Sequence, residues 1–409
     1  MKNNFMKSYG FLLMLLAGIV LGCIVGAVFP GAKVFAPLGQ VYMNFMFCLV
    51  VPMVFSAVSG TIANMESRRR TGKIMGVTFG VFVLTGLLAA VLMFVLMQLI
   101  PPVLKPWTFV TPEEIAPGSD LSNLFVQFFT AEDFSGLLSR KAMLPLLFFS
   151  LLFGLAVHLC GGKASPVGKG LNSMTEVLSK LLQIASYYAP VAFFGFFANL
   201  VATYGPEIAG SYARGLAVYY PLCGVYMVTV FPLLAQLGGG TGGAKTYFRY
   251  VLQPAMVSLG TCSSIATVPT NMDAAEQAGI SKEVAGIVMP LGATMHMDGS
   301  CFSCVLKIAF VYGVLGMDFT WGMLFPVLAV AVVSSVAMSG VPGGSYVGEY
   351  IICTLFFPGQ MEFAFPIMVT IGNLVDPPAT MINATGDFVA AFLVSRYTDG
   401  KKWLKRAKK

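Results

Sequence analysis

The sequence predicts an all-α, polytopic membrane protein, and three observations carry that prediction. Hydrophobic residues make up 57% of the 409-residue chain and charged residues only 11%, with a mean hydropathy of +0.80. Soluble domains carry roughly 25% charged residues, so this chain has too little polar surface to stay dissolved. Its apolar residues fall into runs of the length, about 20 residues, that a helix needs to cross the hydrocarbon layer. Lysine and arginine gather in alternate connections between those runs.

In chain order, the runs of the first half are Phe11 to Phe29, Val41 to Ile62, Gly76 to Ile100, Met143 to Leu159, Ile184 to Thr203 and Leu216 to Leu237. The first is too long, and too poorly followed by a cleavage signal, for a removed secretory peptide, and it reads as a span. One set of connections holds Lys2 and Lys7, then Arg68, Arg69, Arg70 and Lys73, then Lys163, Lys169 and Lys180, then Lys245 and Lys282, and the tail from Lys401 to Lys409. The positive-inside bias puts this set and both termini in the cytoplasm, under a plasma membrane or cell inner membrane. The loop after the third run has Lys105 with Glu113, Glu114, Asp120, Glu132 and Asp133 and is expected outside. The net charge of +7 belongs to this sorting; a basic tail beside a membrane favours anionic lipid headgroups, and no nucleic-acid partner is needed to explain it.

The eight cysteines lie within or beside apolar segments, which argues against an outer-loop disulfide framework. Cys301 and Cys304 form a CxxC pair, but a zinc site needs further ligands that no second pair or histidine cluster supplies. They read as small packing residues.

From Tyr250 onward the apolar runs shorten and are broken by Ser, Thr, Gly, Pro and acidic residues. Irregular backbone at membrane depth survives only where protein or a water-filled cavity satisfies it, so a site is expected here. SSIATVP at Ser263 to Pro269 resembles SSVAMSGVP at Ser334 to Pro342, each between apolar flanks of hairpin length. A polar-studded helix follows each, with HMDGS at His296 to Ser300 and DPPATMINATGD at Asp376 to Asp387. Paired interrupted segments are the mark of an inverted-repeat transporter, with binding at the repeat interface. Serine and glycine also let membrane helices pack closely; the acidic residues favour a site.

Asp376, Thr380, Asn383 and Asp387 follow one another at intervals of four, three and four, which puts them on one helix face. A carboxylate at mid-bilayer costs about 2.5–3.5 kcal/mol on the insertion scale and is usually paired and functional. The same helix carries no cation before Arg396, so the partners must be another helix, a bound cation or a substrate ammonium. A structural alternative pairs Asp387 with a lysine such as Lys307.

At these residues the sequence resembles a known family. Ser263 to Pro269, PLGATMHMDGS at Pro290 to Ser300, SGVPG at Ser339 to Gly343 and ATMINATGD at Ala379 to Asp387 are similar to the signature set of the dicarboxylate and amino acid:cation symporters, the glutamate and neutral amino acid transporter family. MLPLLFFSLLFGLAV at Met143 to Val157 and APVAFFGFFANLVATYG at Ala189 to Gly205 extend the likeness over nearly the whole chain. The resemblance implies eight membrane helices plus two re-entrant hairpins, in a homotrimer with an elevator-like moving core. It divides the chain into scaffold helices 1 and 2 at 1–72, core helix 3 at 73–104, an outer loop at 105–141, scaffold helices 4 and 5 at 142–210, core helix 6 at 211–249, the hairpins with helices 7 and 8 at 250–400, and the basic tail at 401–409.

By the same resemblance, Ser264, beside Ser263 at the first hairpin tip, and Asn383 hold a substrate carboxylate, and Asp376 takes an amino group. Thr380 lines the pocket, while Met297, Ser300, Gly340 and Val341 complete and close it. Where acidic amino acid carriers have an arginine, this chain has Ala379, and the first-hairpin arginine of some prokaryotic members is Cys262. Without that bidentate partner, small neutral amino acids are the expected substrates, with acidic amino acids or dicarboxylates as the alternative. No organic cofactor is implied; the coupling ion is sodium, with a proton as the alternative. One implied sodium site uses the backbone of Gly292 and Asn383 and the carboxylate of Asp387, with His296 where the family offers asparagine. A second uses Thr294 and backbone oxygens of Ser335, Val336 and Met338. A third uses Asp298 with helix-3 hydroxyls, for which Thr78 and Thr85 are the candidates.

Sodium prefers oxygen, and imidazole is a poor substitute, whereas histidine exchanges protons near neutral pH. His296 is therefore a proton carrier, a packed histidine beside a working sodium site, or a pH sensor. Glu349 is another candidate proton site, and His158 is expected to be inert. A hydrolase built on Ser263, His296 and Asp298 lacks a nucleophile elbow, and His296 and Asp298 read as too close in sequence to orient each other. A channel would share the broken helices and differ by uncoupled current.

Overall fold

The computed structural model describes residues 2–64, 69–107, 130–139, 142–204, 207–338 and 345–407, and the described residues form helices without strands. Four predicted runs become single helices: α1 (Lys2–Val28), α2 (Ala36–Ala63), α3 (Arg69–Leu99) and α4 (Met143–Leu159). The predicted span Ile184 to Thr203 is divided instead. α5 (Pro166–Ser186) ends before Tyr187, and α6 (Ala189–Tyr204) begins anew. Pro190 has no N–H to donate to the Ser186 carbonyl, so the first helix cannot run on. The Leu216 to Leu237 run likewise divides into α7 (Glu207–Val228) and α8 (Val230–Gly239), because Pro232 offers no donor to Val228. Most of the expected outer loop, with Glu113, Glu114 and Asp120, lies outside the described residues.

The remaining helices are α9 (Gly243–Tyr250), α10 (Leu252–Thr261), α11 (Ser264–Ala278), α12 (Lys282–Met295), α13 (Asp298–Val314), α14 (Leu324–Met338), α15 (Ser345–Phe356), α16 (Met361–Thr398) and α17 (Trp403–Ala407). By length and composition, Gly72–Leu99 within α3, Ala209–Gly239 across α7 and α8, and Lys282–Val314 across α12 and α13 are long and apolar enough to cross a membrane. α13 and α16 are apolar and buried on nearly every side, as expected of helices at the centre of a bundle.

Packing sorts the helices into two groups. α1 lies along α6, α2 packs on α4, α5 and α6, and few contacts cross from these to the rest. Gly18, Gly22 and Gly26 explain the first pairing: a Cβ at each would collide with the carbonyl of Pro190, Phe194 or Ala198 respectively. Small residues every fourth position let two membrane helices approach to backbone contact. The second group surrounds α16, which touches α3, α7, α8, α10, α11, α12, α13 and α15. A bond between the groups joins the Tyr42 hydroxyl of α2 to that of Tyr346 on α15, at 2.7 Å.

Two chain breaks lie against α16. α10 turns into α11 at Cys262, the sole non-glycine with positive φ (48°) among the described residues. α12 gives way to α13 through His296 and Met297, whose backbone is extended or irregular. Residues 339–344, which join α14 to α15 and include Gly340 and Val341, lie outside the described residues.

Candidate functional site

The polar face of α16 forms one wall. Asp376 is exposed and accepts a hydrogen bond from the Thr380 hydroxyl at 3.2 Å, while Thr380, Asn383 and Asp387 are buried. Asn383 reaches the first turn of α13. Its Oδ1 accepts from the amides of Gly299 (2.8 Å) and Ser300 (3.3 Å), and its Nδ2 donates to the Ser300 hydroxyl at 3.3 Å. These first-turn amides have no partners within their own helix, so Asn383 ties the break to α16. Ala379 is buried under the same turn, where a Cβ on Gly299 would strike its backbone.

One turn beyond Asn383 lies a buried charge cluster. His296 Nδ1 is 3.0 Å from Asp387 Oδ1, and its Nε2 is 3.3 Å from Asp298 Oδ1 and 2.7 Å from the Thr85 hydroxyl. All three charged groups are no more than 1% exposed. His296 and Asp298, read as too close in sequence to orient each other as in a triad, do come into contact, because the irregular backbone at His296 and Met297 brings both side chains to one place. The Thr85 hydroxyl reaches both the Val81 carbonyl at 3.1 Å and Nε2 at 2.7 Å, and the tautomer decides whether it donates to the ring or accepts from it. Asp387 accepts from Nδ1. A ring with hydrogen on Nδ1 alone and a ring with hydrogen on both nitrogens each satisfy this arrangement. Phe82 stacks on the imidazole at 4.4 Å between centroids, and glycines make room: a Cβ at Gly386 would meet the ring, and one at Gly292 the Asp387 carboxylate.

The other predicted residues scatter around this core. Ser263 caps α11, accepting from the Ala266 amide at 3.2 Å, and Ser264 is the first residue of that helix. Thr294 donates to the Leu291 carbonyl at 2.9 Å. Ser335 donates to the Val332 carbonyl at 2.8 Å and lines a cavity with Met297, Phe82 and Cys301. Val336 and Met338 fall in the last turn of α14.

Lys307 does not pair with Asp387. Its Nζ is 2.6 Å from Glu349 Oε1 on α15, both side chains being no more than 1% exposed, so each acid found a partner on a different helix. A Cβ at Gly372, one turn before Asp376, would run into this pair. Three further residues were invisible in the motifs. Asn271 of α11 donates to the Ala384 carbonyl at 2.7 Å. Tyr219 and Tyr220 of α7 donate to the carbonyls of Gly299 and Leu374, each at 2.7 Å.

Comparisons with known proteins find relatives over most of the chain. The C4-dicarboxylate transport protein of Rhizobium johnstonii is 26% identical over 395 residues, covering 93% of this chain and 87% of its own. Two others are C4-dicarboxylate transport protein 2 of Bradyrhizobium sp. (strain ORS 278), at 25% over 388 residues (93% and 86%), and the C4-dicarboxylate transport protein of Deinococcus radiodurans, at 25% over 388 residues (92% and 87%). These relatives are named for C4-dicarboxylates, whereas the absence of arginine at Ala379 and Cys262 leads to the expectation of a neutral amino acid. Residues 11–397 match the sodium:dicarboxylate symporter family, a stretch that takes in both chain breaks and all of α16 up to Tyr397, and the chain therefore belongs to that family.

Proposed function

We propose that this protein is a secondary symporter that carries a small carboxylate across a membrane on a cation gradient, with a C4-dicarboxylate as its substrate class. The observation that carries the reading is the meeting of α16 with the first turn of α13. There the amides of Gly299 and Ser300 hold Asn383 in place, which leaves the second Nδ2 hydrogen of Asn383 and the Ser300 hydroxyl as donors for a carboxylate, and a helix N-terminus suits an anion. Ser264 adds a hydroxyl from the first hairpin, Thr380 lines the pocket and Met297 completes it, and closure is assigned by the resemblance to Gly340 and Val341, which lie outside the described residues. The relatives' names supply the second carboxylate. A dianion beside Asp376 is repelled unless that carboxyl is neutralised by a bound cation or a proton, which makes cation binding a condition of substrate binding.

Sodium is the coupling ion that the family description favours. Its ligands are proposed at Gly292, Thr294, Asp298, Ser335, Val336, Met338, Asn383 and Asp387, with His296 inside the set. α1, α2, α4, α5 and α6 serve as a static scaffold in a homotrimer, both termini face the cytoplasm, and the group around α16 moves as an elevator.

A second reading keeps a neutral amino acid as substrate, and Asp376 favours it. An exposed carboxylate beside Thr380, on a face without lysine or arginine, suits an ammonium group. Uptake of labelled succinate and labelled serine into proteoliposomes separates the two, under an inward sodium gradient, an inward proton gradient, or neither. Sodium-driven succinate accumulation that serine leaves unchanged supports the first reading, and serine accumulation indifferent to succinate supports the second. Current without saturable exchange of either would make the chain a channel.

A further inference from the structure

Two prolines follow Asp376, and they strip one carbonyl of its partners. In a helix the carbonyl of Leu374 takes its hydrogen from residue 378, or from residue 377 where the turn tightens. Here those residues are Pro378 and Pro377, and neither has an N–H. The Leu374 carbonyl is thereby orphaned one turn from the pocket, on a helix whose neighbouring residues are buried. A buried carbonyl left without a partner costs about as much as a lost hydrogen bond.

The Tyr220 hydroxyl supplies that partner at 2.7 Å. Its neighbour Tyr219 donates at 2.7 Å to the carbonyl of Gly299, in the turn that Asn383 holds from the other side. Consecutive residues on a helix point about 100° apart, so one turn of α7 reaches both interrupted elements. Tyr219 is fully buried, and Tyr220 is 43% exposed.

We propose that Tyr220 is a positioning residue for substrate binding: it holds the proline-opened turn of α16 so that Asp376 stays in register with the first turn of α13, which Tyr219 fixes. The inference rests on the reading that Asp376 faces the substrate. It requires no contact between Tyr220 and the substrate, because the hydroxyl is committed to a backbone oxygen.

The test is a double-mutant cycle in the full-length protein. Pro378→Ala returns an N–H to the Leu374 carbonyl, so the carbonyl no longer depends on Tyr220. Tyr220→Phe alone should raise KM for the transported probe, succinate or serine, by roughly five- to tenfold, the lower part of the range for an unpaired acceptor because Tyr220 is partly exposed. Vmax and the unfolding midpoint should stay near wild type. In the Pro378→Ala background, Tyr220→Phe should leave KM where Pro378→Ala alone puts it. Wild-type KM in Tyr220→Phe, or an equal rise in both backgrounds, would overturn the proposal. Hydrogen exchange gives a readout independent of transport: amides of Val375, Asp376 and Ala379 should exchange faster in Tyr220→Phe and recover in the double variant. If neither probe is carried by the wild type, the functional reading fails, and this exchange pattern still decides the role of Tyr220; unchanged exchange in all variants would refute it. Asp376→Asn separates the two, since it should abolish serine binding while exchange across the turn stays protected.

Discussion

The imidazole Nδ1 of His296 lies 3.0 Å from the carboxylate of Asp387, across the junction between the broken α12–α13 segment and α16. With Asp298 on its other nitrogen, the ring bridges two buried acids that the family resemblance makes sodium ligands. The imidazole therefore lies where the resemblance would put a cation.

His296→Asn removes that internal partner and leaves two buried carboxylates to be neutralised. Breaking a buried pair by removing one member typically costs about 3–5 kcal/mol, so the variant should unfold at lower temperature in choline chloride. Sodium that binds only the folded state should recover part of the loss by mass action. The expected outcome is a sodium-dependent rise in the unfolding midpoint that exceeds that of the wild type. Equal sodium dependence in both proteins would show that imidazole and sodium do not compete for this place.

The Lys307–Glu349 pair should behave as a unit. Lys307→Met or Glu349→Leu alone leaves a charge stranded between α13 and α15 and should destabilise by about 3–5 kcal/mol, whereas replacing both with apolar residues of similar size should be close to neutral. Unfolding of the two single variants and the double variant Lys307→Met/Glu349→Leu measures this. Additive losses would mean that the 2.6 Å contact carries no coupling.

Asp376→Asn distinguishes the substrate classes. For an amino acid it removes the ammonium acceptor, and serine uptake should fall by two orders of magnitude or more, about 3 kcal/mol of a charge-assisted hydrogen bond. For a dicarboxylate it removes a like charge, and succinate uptake should be retained with weaker dependence on the coupling cation. Parallel loss of both would move Asp376 out of the substrate site and into the framework.

Gly22→Leu should disrupt the α1–α6 contact, where a Cβ would collide with the Phe194 carbonyl. Overpacking of this kind costs about 1–3 kcal/mol and should lower the unfolding midpoint in lipid nanodiscs. Gly224→Ala, with open space around it, is the control and should change little. A tolerant Gly22 would mean that α1 is free to move on α6.

The sequence by itself determined the solvent, the helical class, the break at the first hairpin tip and the shared face of Asp376, Thr380, Asn383 and Asp387. Each of these depends on residues near one another in the chain: on hydropathy summed over a span, on helical period, and on the inability of proline to donate. Even the ends of α5 and α7 were written there, in Pro190 and Pro232, although hydropathy runs straight across both. Only the tertiary structure decided which acid meets which base. Periodicity tells which side of its own helix a residue occupies and nothing about the helix that side will face. Thr85 and His296 are 211 residues apart, Tyr220 and Leu374 are 154, and Lys307 and Glu349 are 42. Periodicity left open a packing role for His296 and a pairing of Lys307 with Asp387, and the packing around α16 set the distances over which a charge or a hydrogen bond acts.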